Sequence, residues 1–213
     1  MTPTNVSSAP LPIIRRLSIY HHILLTLKLQ RIETISSTKL SEMVGYTPIL
    51  VRKDIEATGL TGKPKTGYNV VDLLQAINQF VGWSTEKPAI LIGAGNLGSA
   101  LMKYAWMSEH GMRFIAAFDS NPAHANILIN NIPVYAMNYF ETFMSEHKVD
   151  IGVVTVPAVA AQQVIDLLVA QGIKGIWNFS NAHPKVPEGV IVENAVFTLS
   201  LAVLTRRLRE QHI

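Results

Sequence analysis

Lys87-Pro-Ala-Ile-Leu-Ile-Gly93-Ala94-Gly95-Asn96-Leu97-Gly98-Ser99-Ala100 sets a short apolar run directly before Gly-x-Gly-x-x-Gly, and a helical pattern follows. Glycines at this spacing permit a tight turn, close approach of backbone to a pyrophosphate, and close helix–strand packing. The helix start then presents free N–H groups to the phosphates. A second apolar run, Arg113-Phe-Ile-Ala-Ala-Phe-Asp119, ends in an acid 21 residues after Gly98, where a carboxylate can grip a ribose 2′-hydroxyl. The two runs predict a dinucleotide site on Gly93, Ala94, Gly95, Asn96, Leu97, Gly98 and Asp119. Asp119 is expected to favour NAD(H) over its 2′-phosphorylated form, because a second negative charge there is repelled.

Downstream, the pattern predicts strand 89–92, helix 96–109, strand 113–118, a short strand 132–135 and a helix near 139–147. Strand 150–156, helix 158–171 and strands 175–179 and 190–192 follow. Apolar strands alternating with helices demand a parallel sheet with right-handed crossovers, so residues 87–194 read as a Rossmann doubly wound unit. The last predicted helix, 195–211, carries Val196, Phe197, Leu199, Leu201, Ala202, Val203 and Leu204 before Arg206-Arg207. Apolar on nearly all sides, it needs covering from both. A homodimer is therefore expected, with Phe197 and Leu201 against the partner; packing onto its own sheet is the alternative.

Upstream, residues 13–31 place apolar groups at helical spacing. Ser36-Ser37-Thr38 offers caps for a short helix 39–44 closed by Gly45, and Thr47-Pro48 opens a third helix to about residue 56. Three short helices with a tight turn between the last two make a helix-turn-helix. The Gly59–Tyr68 stretch, rich in glycine, proline and lysine, reads as a hairpin tip, completing a winged helix. In the third helix Ile49, Leu50, Val51 and Ile55 are expected inward, and Arg52 and Lys53 outward toward a major groove. Lys63 and Lys65 would meet the flanking DNA backbone. The DNA-facing set is Ser36, Ser37, Thr47, Pro48, Arg52, Lys53, Lys63, Lys65 and Tyr68. Residues 70–83 form an amphipathic linker helix (Val71, Leu73, Leu74, Ile77, Phe80, Val81) ended by Gly82, which sets a DNA-binding domain at 1–86 and a C-terminal helix at 195–213.

Charge supports this division. Residues 1–70 carry nine Lys and Arg against four Asp and Glu, whereas residues 87–213 carry nine of each. A basic module joined to a neutral one points to a polyanion partner for the first. The chain has 213 residues and no cysteine, which excludes disulfides, thiolate catalysis and cysteine-held metal. His21 and His22 are adjacent on a helix and cannot share a metal face. The Met1–Ser8 opening lacks the charged and apolar regions of an export signal, and no apolar run reaches bilayer length, so a cytoplasmic protein is expected.

These features together resemble the Rex family of redox-sensing transcriptional repressors, from about Arg16 to Arg206. The carriers are Val51-Arg52-Lys53-Asp54, Gly67-Tyr68-Asn69-Val70, Gly93-Ala-Gly-Asn-Leu-Gly98, Thr155-Val-Pro-Ala158 with Ala161-Gln162, Gly172-Ile-Lys-Gly-Ile176 with Asn178-Phe179, and Val186-Pro-Glu-Gly-Val190. The resemblance implies a homodimer that binds a palindromic operator and releases it when NADH replaces NAD, a swapped C-terminal helix, and no chemistry on the cofactor. It extends the NAD(H)-binding set to Thr155, Val156, Pro157, Asn178, Phe179 and Tyr104. An apolar lining of Val156, Pro157 and Phe179 would penalise the positively charged oxidised nicotinamide by desolvation and favour the neutral reduced ring. Family members carry a tail aspartate that pairs with an N-terminal arginine and a tyrosine; Arg16 and Tyr104 are present, but Val196 stands at the aspartate position. The stretch after Arg52-Lys53-Asp54 and the Asn178-Phe-Ser-Asn181 segment also depart from the usual pattern.

A rival reading is an NAD-dependent oxidoreductase with a basic accessory domain, whose proton donor or acceptor would be His183. The roughly 20 residues after the last strand leave no room for a substrate domain. A third reading is a nucleotide-binding module whose basic end contacts protein or RNA.

Overall fold

The computed structural model describes residues 10–211; the Met1–Ser8 segment read for an export signal lies outside them. The chain divides into two compact units, one ending at Thr85 and the other beginning at Glu86.

The first unit is helical. α1 (Leu11–Leu29) lays Leu17, Tyr20, Leu24 and Leu27 on one face. α2 (Ser37–Val44) starts where the Ser36 hydroxyl accepts the Lys39 N–H at 3.1 Å and stops at Gly45, φ 72°. α3 (Pro48–Ala57) starts at Thr47, whose hydroxyl accepts the Leu50 N–H, with proline in the first turn. These ends follow the cap chemistry.

The inward face of α3 differs from expectation. Val51, Asp54 and Ile55 are buried, while Ile49 is 66% exposed. At 100° per residue, Ile49 lies about 200° round the helix from Val51, so both cannot face the core. The expected hairpin reduces to two-residue strands, β1 (Thr34–Ile35) paired antiparallel with β2 (Tyr68–Asn69), and a turn closed by reciprocal Lys63–Gly67 backbone bonds. Gly67 has φ +84°, and a Cβ there would collide with the Ile35 carbonyl.

α4 (Val70–Val81) is capped by Asn69, whose side-chain oxygen accepts from Val71 and Asp72 N–H groups, and ends at Gly82. It buries Val70, Leu73, Leu74 and Ile77 in the core shared with α1; Val71, expected inward, is exposed. α4 is therefore a wall of the first unit's core.

The second unit holds one seven-stranded sheet, ordered β5-β6-β4-β3-β7-β8-β9. Its strands are β3 (Lys87–Ile92), β4 (Met112–Asp119), β5 (Ile127–Ile129), β6 (Ile132–Ala136), β7 (Ile151–Val154), β8 (Gly175–Asn178) and β9 (Ile191–Asn194). All pairings are parallel except β5–β6. That hairpin turns on Asn130 and Asn131, both at positive φ. An Asn-Asn step between apolar residues is the signal that reveals it. Strand order reverses at β3, which lies between β4 and β7, and ligands of open α/β sheets bind at the carboxyl ends of such a switch point.

The helix expected over 96–109 is broken into α5 (Asn96–Met102) and α6 (Trp106–Glu109). The Asn130 amide donates to the Met102 carbonyl at 3.0 Å, taking an acceptor that another helical turn would need. α7 (Phe140–Glu146) and α8 (Ala158–Ala170) pack on one face around Phe118, Ile165 and Leu168. α5 and α6 lie on the other, around Leu91, Met102 and Met107. α9 (Phe197–Gln211) buries none of its side chains, and its Phe197 ring packs beside Phe179 of the same chain. Among the described residues no helix is long and apolar enough to cross a membrane.

Candidate functional site

The glycine loop is built as the three positions require. Gly93 leaves β3 at φ +103° and is held from both sides. Its N–H donates to the Phe118 carbonyl at 2.8 Å, and its own carbonyl accepts the Thr155 hydroxyl at 2.7 Å. Gly98 sits in α5 directly on this turn: a Cβ there would fall 2.1 Å from the Gly93 oxygen and 3.0 Å from the Thr155 hydroxyl. Gly95 is the opposite case, with nothing within 4 Å of the place its Cβ would occupy. The backbone is bare there and faces open space. The N–H groups of Asn96, Leu97 and Gly98 open α5 and have no acceptor within the helix, where bonding starts with Ser99 N–H to the Gly95 carbonyl. A diphosphate fits this cradle, because the missing Cβ lets its oxygens reach those N–H groups.

Beside the loop lies a cavity of about 820 Å³ that brings together Gly93, Gly95, Asp119, Thr155, Val156 and Pro157. Asp119 ends β4 and is nine-tenths buried. Its Oδ1 accepts the Asn121 N–H at 2.7 Å, and Oδ2 lies 3.1 Å from His124 Nδ1. Each carboxylate oxygen keeps a lone pair for a ribose hydroxyl. Ser120, His124 and Met137, and Ala160, Gln163, Val164 and Leu167 of α8, also line the cavity. Sequence reading missed these, although the i, i+3, i+4, i+7 spacing on α8 marks one helix face.

Other members of the expected set stand elsewhere. Ala94 is buried and Asn96 and Leu97 are exposed. The Asn178 amide is fully committed: its oxygen accepts from the Ser180 N–H and hydroxyl, and its nitrogen donates to the Ala182 carbonyl and to Asn194. It ties β8 to β9 and folds the following loop. Phe179 packs on Trp177 and, at 6.1 Å between centroids, on Phe197 of α9. It thus lies on the α5–α6 side, apart from Val156 and Pro157, which line the cavity on the α8 side. The apolar lining expected of these three is split between two places: Val156 and Pro157 follow β7, whereas Phe179 follows β8 and packs on the opposite side of the sheet. Tyr104 is 65% exposed. His183 lies on an exposed loop and is not among the cavity's residues.

In the first unit a groove of about 490 Å³ gathers Ser36, Ser37, Arg52, Lys63, Lys65 and Tyr68, with Glu56 beside them. Thr47 and Lys53 are exposed outside it, and Pro48 is half-buried in the first turn of α3. Tyr68, expected on the DNA face, is only 7% exposed, and burial pushes its hydroxyl pKa up. Its ring underlies Gly62, where a Cβ would touch it at 2.9 Å. Three cations and the start of α2 on one concave face suit a phosphate backbone.

Behind α3 is a charged anchor. Arg16 of α1 grips Asp54 with two bonds, Nε–Oδ2 at 2.6 Å and Nη2–Oδ1 at 2.7 Å, and the Tyr20 hydroxyl donates to Oδ2 at 2.7 Å. Asp54 is 1% exposed. The hydrogen bond to Asp54 raises the Arg16 pKa, and burial followed by Asp54 raises that of Tyr20. Arg16, whose usual tail partner in the family is replaced by Val196, is here bound to Asp54 of α3.

The sequence of this chain is 42% identical over 193 residues to a redox-sensing transcriptional repressor Rex of Treponema denticola, covering 91% of this chain and 92% of the relative. A Rex of Clostridium botulinum is 39% identical over 201 residues, covering 94% of each. This chain belongs to the Rex family of redox-sensing transcriptional repressors. Two family models match parts of it: a CoA binding domain over residues 84–182 and a putative DNA-binding protein N-terminus over residues 8–55. Among solved Rex structures, RSP in complex with β-NADH superposes with a TM-score of 0.88 at 35% identity, covering 97% of each chain. RSP in complex with β-NAD+ and operator DNA gives 0.86 at 36%, covering 96% of this chain and 94% of that one. The Rex fold therefore holds over both units. The relatives are named as transcriptional repressors, and the oxidoreductase reading gives way.

Proposed function

We propose that this Rex chain represses transcription by binding a palindromic operator through α3 and the Lys63–Gly67 turn, and leaves it when NADH replaces NAD. It works as a cytoplasmic homodimer, with residues 1–86 as DNA-binding domain, 87–194 as NAD(H)-binding domain and 195–213 as the helix exchanged with the partner. The observation that carries the reading is the open cradle at Gly95 leading to the Asp119 carboxylate, a diphosphate seat joined to a ribose anchor. The dinucleotide supplies no reaction here; it supplies a ring that is charged when oxidised and neutral when reduced. A ligand shifts the protein only by its different affinity for two arrangements. Phe179, just after β8 on the α5–α6 side of the sheet, packs on Phe197 of α9 and so ties the exposed helix to the dinucleotide-binding unit. Six apolar side chains of α9 lie about half or more exposed, Phe197 at 60% and Leu201 at 58% among them. A second copy of the chain would cover them.

Arg52→Ala is expected to weaken operator binding by about tenfold or more and to lower the salt slope of binding by about one. NADH affinity stays as in the unaltered chain. Duplex titrations at several salt concentrations, paired with calorimetry for NADH, check both. If the two affinities fall together, Arg52 is a folding residue and the DNA face has been misplaced.

A further inference from the structure

Three side chains around the cavity are charged or can become so: Asp119, His124 and Asp166. Asp119 ends β4, Asp166 is on α8, and His124 closes the short 3-10 turn Pro122–His124. Two anchors hold the Asp119 carboxylate. The Asn121 N–H is a fixed backbone donor, whereas His124 Nδ1, 3.1 Å from Oδ2, belongs to a group that changes charge. β6, which packs against this turn, carries one ionisable side chain, Tyr135, and its ring turns to Phe118, Tyr139 and Phe143.

We propose that His124 sets coenzyme selectivity: neutral, it steadies Asp119 against the ribose and the 2′-phosphorylated dinucleotide is excluded; protonated, it offsets that carboxylate and can donate to the 2′-phosphate. The inference rests on the dinucleotide reading above. Histidine changes charge between about pH 5 and 8. With His124 neutral, a 2′-phosphate meets two carboxylates and no cation at this cavity, and like charges repel. With His124 protonated, a charge-assisted hydrogen bond becomes available. Binding of NADPH then takes up a proton, so its affinity rises as pH falls. NADH presents only a hydroxyl, which Asp119 accepts in either state. The 2′-phosphate has its own ionisation near about pH 6, a source of pH dependence that does not involve His124.

The test is calorimetric titration of the full chain with NADH and with NADPH at about pH 8 and about pH 6, for the unaltered protein and His124→Gln. Glutamine keeps a donor toward Asp119 and cannot titrate. The ratio of NADPH to NADH Kd cancels any loss common to both ligands. In the unaltered chain the ratio is expected to fall at least about tenfold between the two pH values, the scale of one hydrogen bond to a charged group. In His124→Gln the fall is smaller, because only the phosphate's own ionisation remains. An equal fall in both proteins, or none in the unaltered chain, overturns the role given to His124. Failure of NADH to bind at either pH overturns the dinucleotide reading itself.

Discussion

Gly98→Val is expected to abolish NADH binding and to destabilise the second unit, whereas Gly95→Ala abolishes binding alone. The two positions differ by what surrounds them. At Gly98 a Cβ would press on the Gly93 carbonyl, the Leu91 side chain and the Thr155 hydroxyl, the first at 2.1 Å. The backbone oxygen cannot rotate away, so the turn at Gly93 must open or α5 must lift. Overpacking of a tight core costs about 1–3 kcal/mol, and a branched side chain against backbone belongs at the top of that range. At Gly95 the same atom meets nothing, and φ −66° suits alanine. An added methyl there leaves the free chain's stability unchanged. It occupies the space in which a diphosphate would approach the N–H groups of α5. Chemical denaturation separates the variants, and calorimetry should find NADH affinity down at least about a hundredfold in both, the scale of losing two charge-assisted bonds. Tight NADH binding by Gly95→Ala would mean the diphosphate lies elsewhere.

Asp54→Ala is expected to cost about 3 kcal/mol and to remove operator binding. Breaking a buried ion pair by deleting one partner is strongly destabilising. Here one carboxylate serves both a bidentate arginine and a buried tyrosine hydroxyl. Without it, the Tyr20 hydroxyl, on a fully buried side chain, keeps no acceptor that the structure provides. Arg16 and Tyr20 hold α3 at Asp54, so they fix its rotation about its own axis. Arg52 and Lys53, two and one residues earlier, owe their outward aim to that hold. The Tm of the first unit should fall by about 10 °C or more. Arg16→Lys tests the geometry: a single ammonium replaces a planar fork and cannot make both bonds, so part of the loss should appear with the charge retained. Full DNA affinity in Asp54→Ala would show that α3 needs no such anchor.

What the sequence made legible was local. The glycine spacing, the acid after the second strand, the Ser36 and Thr47 caps and the stops at Gly45 and Gly82 each depend on residues within one turn or one strand. The groove in the first unit gathers six of the nine expected DNA-facing residues, brought together from the start of α2, α3 and the Lys63–Gly67 turn by the fold of that unit. Failures came where a distant partner decides the outcome. Asp54 follows Arg52-Lys53 in the sequence with nothing to mark it as buried, yet Arg16, 38 positions earlier, draws it inside. The long helix after the glycine loop breaks because Asn130 captures a carbonyl 28 positions back. Tyr68 reads as part of a basic tip, but Gly62 leaves room for its ring to fill the core. Asn178 sits in a motif segment and looks free to bind, while its amide is spent on Ser180, Ala182 and Asn194. His124 carries no pattern of its own; only the turn at Asn121 swings it onto Asp119. Val156 and Pro157 follow β7 and Phe179 follows β8 on the other side of the sheet, and no spacing rule assigns a cofactor to one side.

The most direct test is a titration of duplex DNA, selected by the protein from a random pool in NAD, across NADH to NAD ratios at fixed salt. Affinity should fall by at least about tenfold as NADH replaces NAD, a coupling within the usual span for linked sites. Affinity indifferent to the ratio, with both dinucleotides bound, would contradict the account.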